Sequence, residues 1–153
     1  MKKKPQQKKI QKTTQSSTKV DLEKYFEAKL AAEWGPHDLK RRLDEENIVV
    51  LDVRDKESYQ EQHIPTAINI PYEELEARWK ELPKNKEIIA YCWTITCSLA
   101  LRAALLLAKK NFRVKELVGG IREWKHSNFP IEGKEELVAA GASSCGEDSC
   151  CND

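Results

Sequence analysis

Ile88-Ile-Ala-Tyr-Cys-Trp-Thr-Ile-Thr-Cys-Ser98 is the stretch on which the fold turns. Its first half, Ile88 to Trp93, is nearly continuous in apolar residues, the pattern of a strand covered on both faces in a parallel sheet. From Ser98 to Lys110 the apolar residues recur at helical spacing. Cys92 therefore stands where a strand hands over to a helix, and ligands of open parallel sheets bind beyond the carboxyl ends of strands. A thiol placed there faces the unpaired first N–H groups of the helix and the positive end of its dipole, and both favour the thiolate. An ordinary thiol, with a pKa of about 8.5, is only a few per cent ionised at neutral pH. Spacing alone leaves a second reading open, in which Cys92 is a small buried residue closing a strand.

Working outward, Ile48 to Val53, Ala67 to Ile70 and Val114 to Val118 read as further strands, with helices over Lys56 to Gln62, Tyr72 to Leu82 and Ile121 to Ser127. Strands alternating with helices indicate an α/β fold with a mostly parallel sheet. Ahead of this block, Leu22, Tyr25, Phe26 and Leu30 recur at helical spacing behind Asp21, a plausible N-cap. The expectation is an additional helix over residues 21–35 that buries this stripe. Gly35-Pro36 breaks it, and Asp38 to Asn47 reads as a second, more polar helix.

The chain of 153 residues has a formal net charge of +1, but the average hides unlike segments. Residues 1–20 carry +7, residues 21–131 carry −1, and residues 132–153 carry −5. The first segment has too few apolar side chains to offset its ordering entropy and reads as a disordered basic arm. It lacks the interleaved aromatics that stack on bases, so it reads as a solubilising arm rather than a nucleic-acid site. No apolar stretch approaches the roughly 20 residues of a membrane span. Neither a secretory nor a mitochondrial leader pattern is present, so the expected compartment is the cytoplasm. Residues 132–153 form an acidic tail carrying Cys145, Cys150 and Cys151. These three have no second pair at zinc-site spacing and no histidine among them, so no metal is expected.

Four pieces of the central block occur in order: Leu51-Asp-Val-Arg-Asp55, Glu61-Gln-His-Ile-Pro-Thr-Ala-Ile-Asn-Ile-Pro71, Tyr91-Cys92 with its short loop, and Leu117-Val-Gly-Gly-Ile-Arg-Glu-Trp124. Together, over residues 36–131, they resemble the rhodanese (sulfurtransferase) domain family. The resemblance implies an α/β, three-layer fold with a central, mostly parallel sheet and helices on both faces. It implies Cys92 as the catalytic residue, Trp93, Thr94, Ile95, Thr96, Cys97 and Ser98 as the substrate-binding loop, and no cofactor. By that resemblance, the Cys92 thiolate takes the outer sulfur of a small sulfane-sulfur donor and holds it as a persulfide. It then yields the sulfur to a thiol or other nucleophilic acceptor, which could be a protein.

An anionic persulfide fits a ring of loop amides at a helix N-terminus, with the Thr94, Thr96 and Ser98 hydroxyls as further donors. No general base is expected, because a thiolate is already the nucleophile. Asp52, Arg54 and His63 take structural roles near the site. His63 and Pro65 shape a turn in which Thr66 stands where the family often has Gly. Gly119-Gly120 allows a close backbone approach. Trp93 reads as a pocket wall or as packing.

The loop departs from the family pattern at Cys97, where members usually carry Arg. Losing a charge-assisted contact of about 1.5 to 3 kcal/mol should weaken a dianionic donor such as thiosulfate by one to two orders of magnitude. Cysteine phosphatases use a similar cradle, but need a loop one residue longer closed by Arg where this chain has Ser98. Cys97 also supports another reading, in which it attacks a modified Cys92 and closes a disulfide, making the site a redox relay or sensor. Inward-turned amides would point the loop side chains outward, away from the approach that a disulfide needs. A rival from another class is a non-enzymatic module of the same fold that binds a partner through the additional helix. A tail thiol, Cys145, Cys150 or Cys151, could act as an intramolecular sulfur acceptor. Oligomeric state has no signature in the sequence.

Overall fold

The computed structural model of the protein describes residues 21–134. The basic arm and the thiols Cys145, Cys150 and Cys151 lie outside the described residues. Five strands, β1 (Glu33–Trp34), β2 (Ile48–Asp52), β3 (Ile68–Asn69), β4 (Glu87–Tyr91) and β5 (Arg113–Leu117), pair in the order β1-β5-β4-β2-β3, and every pairing is parallel. Helices α1 (Leu22–Ala32), α2 (Pro36–Arg42), α3 (Lys56–Glu61), α4 (Tyr72–Arg78), α5 (Leu99–Lys109) and α6 (Gly120–His126) connect them, with a 3-10 turn at Trp79–Glu81.

The alternation of side chains along β4 divides the core. Ile88 and Ala90 point to one face with Leu75, Ala103 and Leu107 of α4 and α5, and Cys92 continues that face. Ile89 and Tyr91 point to the other, with Leu39, Ile121 and Trp124 of α2 and α6. Helices therefore cover both faces, and β4, in the middle of the sheet, is buried from Ile88 to Tyr91. Burying an Ile side chain stabilises the fold by about 1.5 to 3 kcal/mol, which makes this central strand the anchor of the Cys92 position.

The N-terminal block differs from expectation. Asp21 caps α1, its side chain accepting from the Lys24 N–H at 3.4 Å. The helix buries no residue, however, and Leu22, Tyr25, Phe26 and Leu30 are 63%, 51%, 56% and 79% exposed. Its register leaves the stripe outside because α1 stops at Ala32 and Glu33–Trp34 turns into an edge strand paired with Glu116 and Leu117. The second helix starts earlier than expected, at Pro36, because proline suits a first helical turn and Asp38 accepts from the Gly35 N–H at 3.2 Å. It ends at Arg42 rather than Asn47.

At the other end, Glu132 and His63 exchange backbone hydrogen bonds at 2.8 and 2.9 Å, and the Lys134 N–H donates to the Gln60 carbonyl at 3.1 Å. The described chain thus finishes packed against α3.

Candidate active site

Cys92 lies one residue beyond β4 and is 2% exposed. Two glycines fix its main chain. Gly119 and Gly120 have φ of 86° and 60°, and a Cβ on Gly120 would stand 2.4 Å from the Cys92 carbonyl oxygen. That closeness lets the first turn of α6 reach the loop: the Ile121 N–H donates to the Cys92 carbonyl at 3.0 Å, and the Arg122 N–H to the Trp93 carbonyl at 3.1 Å. The expected close backbone approach is therefore a contact with the loop itself.

On the side-chain side, Cys92 Sγ donates to the Cys97 carbonyl at 3.3 Å. The turn that brings this carbonyl back is closed by the Cys97 N–H donating to the Thr94 carbonyl at 3.1 Å. The N–H groups of Ala100 and Thr94 act on Cys92 and favour its thiolate, as the position ahead of α5 implies. They do not prevail. Burial and the adjacent Cys97 thiol push the Cys92 thiol up to about 11, so the expected resting thiolate at position 92 is corrected to a thiol.

Cys97 shifts the other way. Burial pushes it up, but the Cys92 thiol and the N–H groups of Leu99 and Trp93 outweigh this and hold its pKa below the ordinary thiol value. Each sulfur thus feels the other, and the pair yields its first proton easily and its second reluctantly. The expectation that the loop turns the Cys97 side chain away is also corrected, since Cys97 packs against the same core patch that contains Cys92.

The loop hydroxyls do less than expected. Thr94 and Thr96 hydrogen-bond each other at 2.9 Å, and Ser98 makes no side-chain cap on α5. Ile95 is exposed. Trp93, 42% exposed, is a pocket wall: its ring lies 4.6 Å from the Arg54 guanidinium carbon, and it borders a groove of about 700 Å³.

Arg54 and Asp52 form a buried pair at the end of β2. Arg54 Nη2 donates to Asp52 Oδ2 at 2.6 Å and Nε to Oδ1 at 3.0 Å. Nη2 also donates to the Gln62 carbonyl at 2.6 Å. Burial alone would lower the Arg54 pKa, and the Asp52 carboxylate more than offsets it. Asn69, which the sequence reading missed, secures this corner by donating to the Asp52 and Arg54 carbonyls at 3.1 and 3.0 Å. His63 stacks on Tyr59 with ring centroids 4.0 Å apart, and its Nδ1 lies 2.8 Å from the Tyr59 carbonyl oxygen. Thr66 has φ of 66° in the following turn, a conformation that accounts for glycine being common there.

The groove beside Trp93 also takes in Arg54, Arg122, Lys125 and Lys134, with Glu61 as the opposing charge. This basic lining was missed in sequence because it is assembled from three separated segments. A second groove, of about 610 Å³, runs between α1 and the loop and is bordered by Cys97, Ile95, Tyr25, Leu101 and Glu116.

An all-parallel sheet with a buried cysteine at its central strand end, bonded to a short loop, defines a class, and comparisons give it a family. Residues 35–127 match the family model described as rhodanese-like domain, and the chain belongs to that family. Over 95 residues it is 38% identical to the HTH-type transcriptional regulator Rv0324 of Mycobacterium tuberculosis, covering 62% of this chain and 42% of that one. It is 34% identical over 80 residues to the thiosulfate sulfurtransferase GlpE of Coxiella burnetii, covering 52% of this chain and 73% of that one. The crystal structure of the BH2092 protein of Bacillus halodurans superposes with a TM-score of 0.68 at 43% identity, covering 73% of this chain and 84% of that one. The chain spans less than half the length of the first curated relatives it matches. Among the described residues, no helix is long and apolar enough to cross a membrane, and no cluster of three or more His, Cys, Asp or Glu is placed to hold a metal.

Proposed function

We propose that the protein is a sulfurtransferase that carries sulfur as a persulfide on Cys92. The observation that carries this reading is the position of Cys92 beyond the central strand, with the Thr94 and Ala100 N–H groups acting on its sulfur. The resting proton on Cys92 has to leave as the sulfur reacts. It passes to the donor's leaving thiolate as Cys92 attacks, and the Thr94 and Ala100 N–H groups stabilise the negative charge that develops on Cys92. The Cys92 sulfur attacks the outer sulfur of a donor R–S–S⁻, the donor's S–S bond breaks, and R–S⁻ leaves with the proton. An acceptor thiolate later attacks the outer sulfur of the Cys92 persulfide and the Cys92 thiolate departs. Free thiols at both positions suit a reducing compartment such as the cytoplasm.

The charges favour a particular donor. No cation stands in the loop from Cys92 to Ser98, whereas Arg122, Lys125 and Lys134 lie along the groove beyond Trp93. Thiosulfate carries its sulfonate one bond from the transferred sulfur and so needs a cation inside the loop. A low-molecular-weight thiol persulfide, or a polysulfide, places less charge there, and the persulfide can carry carboxylates far enough away to meet the groove. For the acceptor, an external thiol fits, and so do the tail thiols Cys145, Cys150 and Cys151. Lys134 borders the groove, and the eleven residues from there to Cys145 can span at most about 40 Å.

One observation favours a second reading, a partner-binding module of the same fold: the exposed apolar stripe of α1. Intact-mass analysis after treatment with a thiol persulfide separates the two. A gain of about 32 Da on the Cys92 peptide, removed by cyanide, is expected of the carrier. A chain whose Cys92 takes no sulfur at any pH up to 9, even as Cys97→Ser, is a module.

A further inference from the structure

Cys97 stands close to the site of sulfur transfer. Its carbonyl lies 3.3 Å from Cys92 Sγ, and its side chain packs on the patch that holds Cys92. Cys92 is almost closed to solvent, while Cys97 is partly exposed and opens on the groove beneath α1. Both are free thiols.

Resting on the sulfurtransferase reading, we propose that Cys97 resolves the Cys92 persulfide by closing a Cys92–Cys97 disulfide and releasing the outer sulfur as hydrosulfide, so that the protein reduces sulfane sulfur as well as transferring it. The bond that forms joins Cys97 Sγ to Cys92 Sγ, and the bond that breaks joins Cys92 Sγ to the outer sulfur. With the persulfide as Cys92–S–S⁻ and Cys97 as S–H, the products are the disulfide and HS⁻, so the Cys97 proton leaves with the sulfide. The two cysteine sulfurs lose two electrons and the sulfane sulfur gains them. The reductant that resets the site is a second thiol, from a dithiol or two low-molecular-weight thiols, and access directs its attack to Cys97, the sulfur that borders the groove. Cys97 ionises more readily than an ordinary thiol, so its proton passes to the departing sulfur as it attacks. Attack is directed to the inner sulfur because the Cys97 backbone is held there, its carbonyl accepting from Cys92 Sγ.

The test uses the full chain with Cys145, Cys150 and Cys151 changed to Ser, with and without Cys97→Ser, treated anaerobically with a thiol persulfide and no added reductant. Transfer from this donor yields a thiol and not sulfide, so sulfide counts the resolving step alone. With Cys97 present, about one sulfide per chain and a product about 2 Da lighter, mapped as Cys92–Cys97, are expected. With Cys97→Ser, sulfide release falls at least tenfold and a cyanide-labile gain of about 32 Da stays on Cys92. A persulfide that persists on Cys92 when Cys97 is present, or one that moves intact to Cys97, overturns the proposal while leaving the carrier reading standing. No sulfur on Cys92 in either protein overturns both.

Discussion

The two ends of the loop hold the same side chain and treat it differently. Cys92, at the strand end, is enclosed, tied through its carbonyl to α6 and kept protonated. Cys97, at the helix start, is partly exposed and more acidic than an ordinary thiol. Both receive main-chain N–H groups, so the amides do not make the difference. Burial is the largest influence on both and raises both, and the contact between the two thiols sets them apart by raising Cys92 and lowering Cys97.

The sharpest way to break this contrast is alkylation. At pH 7 a thiol near pKa 11 is ionised about a hundredfold less than one at 9, so iodoacetamide should label Cys97 at least a hundred times faster than Cys92. Cys92 labelling should rise about tenfold per pH unit as pH climbs towards about 11, where its thiolate becomes the major form. In Cys97→Ser that rise should move to lower pH, since one of the influences raising the Cys92 pKa is gone. Faster labelling of Cys92 at neutral pH would invert the comparison. Next in size is the donor: kcat/KM for a thiol persulfide should exceed that for thiosulfate by one to two orders of magnitude. Equal turnover would reject the argument from the absent loop cation.

Stability measurements sharpen the contrast between the anchored end and the open one. Asp52→Ala leaves Arg54 buried without its partner and should cost about 3 to 5 kcal/mol in urea denaturation. Gly120→Ala should cost about 2 to 3 kcal/mol through the clash with the Cys92 carbonyl and the left-handed φ. The same probe on Cys97→Ser should move stability by less than about 1 kcal/mol. Smallest of all, Thr66→Gly should relieve the turn and stabilise by up to about 1 kcal/mol.

Much of the scaffold was legible from residue pattern. The four strands Ile48 to Val53, Ala67 to Ile70, Ile88 to Trp93 and Val114 to Val118 all correspond to sheet strands, because buried parallel strands write themselves as aliphatic runs. Glu33–Trp34 escaped because two residues carry no period and their pairing with β5 is a tertiary event. The stripe of α1 misled for a related reason: helical spacing shows that an apolar face exists, not that anything covers it. At the site, the cysteine's place at the strand end could be read directly, and the Gly119-Gly120 approach was anticipated. The location of the proton could not be, since it depends on how deeply Cys92 sinks and how near Cys97 returns. The basic groove was equally hidden, because Arg54, Arg122, Lys125 and Lys134 meet only after folding.

The hydrogen bonds from Ile121 and Arg122 to the carbonyls of Cys92 and Trp93 carry a mechanical consequence. Ile121, Arg122 and Lys125 also border the basic groove, so the wall that would meet a docked anion and the mount of the Cys92 sulfur are one rigid piece. A molecule pulling on that wall tugs the backbone of Cys92 itself, without any intervening hinge.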